Sequence, residues 1–160
     1  MTAPRQRGVV SGMNVFDLLK LAYASTLLGS CFYVGRHGGR PEQLGIGIVA
    51  IGSLLTLAAA PFGAGWHASK LSLLALDLLI LAAFVLIALR SGRFWPLWVT
   101  GFHLAAVATH VAMLVAPRQV LQAYAIAQGF WAYPMIGAIV FATARRRRLR
   151  ASPRLHPTRF

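Results

Sequence analysis

The chain has 160 residues, of which 58% are hydrophobic and 12% charged, and its mean hydropathy is +0.64. A soluble domain carries about 25% charged residues, so this composition excludes an ordinary soluble enzyme, a secreted disulfide scaffold and a disordered tail protein. Sixteen basic residues against three acidic ones give a net charge of +13; in so apolar a chain the excess reads first as topology signals and attraction to anionic lipid, ahead of nucleic acid.

Residues 1–12 form a basic N-terminal arm with Arg5 and Arg7. No Asp, Glu, Lys or Arg occurs from Gln43 to Ser69, from Phe94 to Pro117 or from Gln119 to Ala144. Each run is longer than the ~20 apolar residues that cross a ~30 Å hydrocarbon core. The pattern predicts an all-α polytopic transmembrane bundle over 13–142, with five spans at about 13–34, 44–66, 71–89, 94–116 and 120–142. The first is the weakest, because Asp17 and Lys20 interrupt its start; if it does not cross, four spans remain. On a helix these two residues are three apart and pair with each other. Pro61 bends or ends the second span, Pro96 sits in the first turn of the fourth, and Pro134 kinks the fifth. The links Arg90-Ser91-Gly92-Arg93 and Pro117-Arg118-Gln119 allow only tight antiparallel hairpins. Residues 143–160 form an Arg-rich tail.

One end of the bundle collects Arg36, Arg40, Arg90, Arg93 and the seven arginines after the fifth span, eleven in all. The other collects Arg5, Arg7, Lys20, Lys70 and Arg118, which is five. The positive-inside rule then places the C-terminus in the cytoplasm and the N-terminus outside. Fourteen arginines against two lysines fit the coding bias of a GC-rich bacterium, hence a bacterial inner membrane. Trp95 and Trp98 at the inner rim and Trp66 at the outer rim occupy interfacial positions. A competing reading takes Leu28-Gly29-Ser30-Cys31 as a lipoprotein signal ending before a lipid-modified cysteine. It would leave the arginine-rich tail outside, against the charge rule, so the first reading of Cys31 is a small packing residue.

Ionisable residues inside a span are functional candidates by default. Asp77, His103, His110 and the amide Gln128 form such a set. Counted from the turn between the third and fourth spans, His103 lies about 13 Å deep, Asp77 about 18 Å and His110 about 24 Å. The two histidines are seven residues apart and share one helix face. Gln128 lies at a level close to His110, which makes a polar seam of the four geometrically sound. Its first reading is structural, with Asp and His fixing which helix faces pack; a proton or ion pathway through Asp77, His103 and His110 is the alternative. A haem site has one cross-helix pair of matched depth, His103 with Met135, and zinc has His67, Asp77 and His110. Neither signal is strong, and no cofactor or metal is expected. No nucleophile motif, phosphate loop or acidic metal cluster is present, so no enzymatic activity is expected.

Ala125, Gly129 and Gly137 repeat along the fifth span, Ser25 and Gly29 share a spacing on the first, and Gly45, Gly47 and Gly52 crowd the second. Small residues at such spacing let helices approach. Phe130-Trp131-Ala132-Tyr133-Pro134 puts large aromatics beside a kink, a patch read as core or lipid contact ahead of a quinone or pigment site. Arg145, Arg146, Arg147, Arg148 and Arg150 follow the last span and are expected to bind anionic headgroups, with Pro153 and Pro157 opposing a continued helix. The functional expectation is a non-enzymatic accessory or interaction protein acting through helix–helix contacts, with a partner protein or a second copy. Behind the ion pathway stand a haem- or quinone-binding redox subunit and a phage-type membrane-permeabilising protein.

Overall fold

The computed structural model describes residues 15–59, 66–115 and 129–151. All regular structure among them is helical: α1 (Val15–His37), α2 (Arg40–Ala59), α3 (Trp66–Ser91), α4 (Trp95–Val115) and α5 (Ala132–Ala151). Among the described residues, three helices are long and apolar enough to cross a membrane, over Asp17–His37, Arg40–Ala58 and Leu71–Ser91. Each helix packs on its neighbours in chain order, α5 returns to α1, and α2 also touches α5 across the bundle.

Short links make consecutive helices antiparallel. Between α1 and α2 stand only Gly38 and Gly39, and the Gly38 N–H donates to the Val34 carbonyl at 2.7 Å to close the last turn of α1. Gly39 caps α2, its carbonyl accepting the Gln43 N–H at 2.9 Å. Three positions later the Glu42 carboxylate reaches back to the Gly39 N–H at 2.8 Å, which is the acidic half of a capping box. α2 therefore starts four residues before the expected Leu44, because Gly39 and Glu42 together satisfy the orphan groups of its first turn. After α3, Gly92 takes φ +58°, the left-handed conformation that ends a helix without a Cβ penalty.

The fifth helix departs from expectation at both ends. Residues 129–130 are helical, residue 131 is a turn, and the helix restarts at Ala132. Pro134 has no N–H to offer the Phe130 carbonyl and its ring crowds that group, so the break falls within the four residues before it. At the other end α5 runs through the arginines to Ala151, where a tail from 143 was expected. Pro153, the Ala125 and Gln128 positions and the remainder of 116–128 lie outside the described residues.

The packing inverts that of a soluble protein. Leu28, Phe32, Leu57, Leu79 and Leu89 are each 70% exposed or more, whereas Glu42, His103, His110 and Thr143 are buried. An apolar exterior over a polar-bearing interior fits a bundle solvated by lipid. The interior is layered. Val34, Ile46, Val49, Phe84, Val99, Ile136 and Ile139 form a buried apolar layer between two polar groups of residues, one at each side.

Candidate functional site

The polar group at the arginine-bearing end is built on Glu42, whose side chain is fully buried. Four donors converge on its carboxylate. Oε1 accepts from the Arg93 guanidinium and from Trp95 Nε1–H at 3.0 Å. Oε2 accepts from the Gly39 N–H at 2.8 Å and from the Arg146 guanidinium at 3.2 Å. Two bonds on each oxygen use the full acceptor capacity of a carboxylate. The cluster joins the α1–α2 turn, the α3–α4 turn and α5. Space there is tight: a methyl group on Gly39 would overlap the Arg146 guanidinium.

Sequence reasoning missed this site. The span boundaries left Glu42 between the first two spans, Trp95 was assigned to the rim and Arg146 to headgroups. The structure buries Trp95 to 8% exposure and spends its indole N–H on Glu42. Trp98, one turn further, remains 58% exposed. The available signal was the stretch Gly39-Arg40-Pro41-Glu42, which reads as a helix start with an acid at its third position.

Asp77 on α3 meets both histidines of α4, through different atoms. His110 Nδ1 lies 2.7 Å from Asp77 Oδ2. His103 Nε2 donates to the Asp77 main-chain carbonyl at 3.0 Å, which fixes the proton on Nε2, since a carbonyl can only accept. Phe84, seven residues after Asp77, packs edge-on against His103 with ring centroids 5.9 Å apart. Trp131 Nε1 donates to Thr109 Oγ1 at 3.3 Å, tying the break before α5 to the level of His110. Gln128 lies outside the described residues, as does the side chain of His67. Among the described residues no group of three or more His, Cys, Asp or Glu could hold a metal ion.

Beside this seam lies a cavity of about 360 Å³ whose walls include Tyr23, Ser53, Thr56, Asp77, His103 and Met135, a size at the lower end of small-molecule sites. Ser53 gives its proton to the Val49 carbonyl at 2.8 Å, so the Tyr23 hydroxyl is the donor in their 2.6 Å contact. His103 and Met135 thus border one cavity. With Nε2 engaged by Asp77, only Nδ1 of His103 could face an iron there. The two polar groups of residues do not merge: Glu42 and Ser53 are eleven positions apart on α2, about 16 Å along its axis, and the apolar layer fills the space between.

The small-residue spacings divide in the same way. Gly45 receives the Trp95 ring and Gly52 receives Ile80, so closely that a Cβ would fall 2.7 and 2.6 Å from them. Gly29, Gly47, Gly129 and Gly137 have no atom of another residue within 4 Å of that position. Asp17 and Lys20 stand 3.4 Å apart on the exposed face of α1. Comparison with family models, with curated proteins and with solved structures gives no match.

Proposed function

We propose that the chain is a non-enzymatic accessory or interaction protein of a bacterial inner membrane, with five spans, the arginine-rich end in the cytoplasm and the N-terminus outside. The observation that carries this reading is the use made of the buried ionisable groups. Glu42 is consumed by four donors, and the Asp77 carboxylate meets His110 while its main-chain carbonyl accepts from His103. Every buried side-chain polar atom among the described residues has a partner. Groups spent in this way lock helix faces together, which leaves the exterior as the working surface. The test is purification from native membrane in a mild detergent. A stoichiometric partner protein is expected, and a solitary chain that supports its cellular role as a homo-oligomer would count against the accessory reading.

The ion pathway keeps one supporting observation, the cavity bordered by Asp77 and His103 beside the 2.7 Å contact of Asp77 with His110. Against it stands the apolar layer, which offers no proton acceptor between this cavity and Glu42. In proteoliposomes carrying a pH dye, no flux above empty vesicles is expected. A flux that Asp77→Asn abolishes would establish the pathway instead.

A further inference from the structure

A second concavity, about 840 Å³, runs between α4 and α5 on the outside of the bundle. Its floor is small: Gly137 and Ala138 line it, and nothing stands within 4 Å of a Cβ position at Gly137. Its walls are aromatic, with Trp98 58% and Phe141 70% exposed. At one end stand Arg145, Arg146 and Arg150.

Of the charge at that end, only Arg146 meets a carboxylate among the described residues. The chain contains three side-chain carboxylates, and each is already engaged: Asp17 with Lys20, Asp77 with His110, and Glu42 with Arg93 and Arg146. Arg145 and Arg150 have no carboxylate partner among the described residues. Two exposed guanidiniums at the mouth of an apolar groove are available to an anion, which they can bind through charge-assisted hydrogen bonds.

The dimensions indicate which anion. From Arg145 back to Pro134, which also lines the groove, α5 presents about 16 Å of apolar face, the depth of one leaflet of a ~30 Å hydrocarbon core. We infer that this groove is a site for one anionic phospholipid, its phosphate on Arg145 and Arg150 and an acyl chain along Gly137, Ala138 and Phe141 under Trp98. The inference goes beyond the accessory role and does not depend on it.

Helix geometry separates a site from diffuse attraction. Arg145 and Arg150 line the groove, whereas Arg147, on the same helix, and Arg40, at the start of α2, are exposed outside it. The variants Arg145→Gln/Arg150→Gln and Arg40→Gln/Arg147→Gln lose the same charge. Native mass spectrometry of the full chain from micelles, titrated with phosphatidylglycerol, phosphatidylcholine or glycerol phosphate, reads the difference. One phosphatidylglycerol per chain is expected, with affinity falling about thirty-fold in the groove pair and less than three-fold in the other. Both pairs keep the melting temperature of the parent chain. Equal loss in the two pairs, equal binding of phosphatidylcholine, equal binding of glycerol phosphate, or a dimer that closes the groove without lipid would each overturn the inference.

Discussion

Glu42 shows how much a single buried acid can organise when every lone pair is used. Its net worth is modest, because desolvation offsets most of the attraction, but removing it takes the acceptor from two guanidiniums, an indole N–H and the Gly39 N–H. Glu42→Ala is therefore expected to lower stability by about 3–5 kcal/mol, read as a large drop in melting temperature in detergent. Trp95→Phe keeps most of the ring and removes one charge-assisted hydrogen bond, so its cost should be about 1.5–3 kcal/mol. If Glu42→Ala melts with the parent chain, the cluster does not hold the bundle. Asp77 behaves differently under substitution. Asp77→Asn retains an oxygen for His110 and the main-chain carbonyl for His103, whereas Asp77→Leu retains only the carbonyl. The leucine variant should lose about 1–3 kcal/mol and the asparagine variant clearly less, which thermal melts of the pair will show.

At the scale of elements, α2 carries an internal control. Gly45 lies under the Trp95 ring, with 2.7 Å left for a Cβ, and Gly47 two residues on faces open space. Gly45→Ala must push an aromatic ring that is itself tied to Glu42, so it should destabilise. Gly47→Ala should stabilise by about 0.5–1 kcal/mol through helix propensity alone. Melting curves that shift in the same direction for both would refute the close approach of the Trp95 ring to Gly45. α5 makes a related point about proline: Pro134, expected as a kink inside one span, stands in the first turn of a new helix. There its missing N–H is cheap, and the interruption falls at Trp131, whose indole is fastened to Thr109.

For the whole molecule the layering matters most. A charged cluster, an apolar layer and a hydrogen-bonding cavity succeed one another along the axis, so buried Glu42 and part-buried Asp77 serve different joints. The arginine distribution predicts an orientation that fusions can read. A C-terminal fluorescent protein should mature in the cytoplasm, and an N-terminal one should stay dark, if the proposed five spans put the ends on opposite sides. Fluorescence from both fusions would mean an even number of spans.

The runs without charge, the helical character and a depth for Asp77 between those of the two histidines were all legible from the chain. They rest on composition, on a 1.5 Å rise per residue and on a tight link between neighbouring helices, which are local facts. Tertiary structure alone decided that Glu42 is an interior residue, that Trp95 leaves the rim for the core, and that Arg146 reaches Glu42. Those outcomes join positions 53 and 104 residues apart, and they depend on which helix faces meet. Spacing along a single helix does not contain that information.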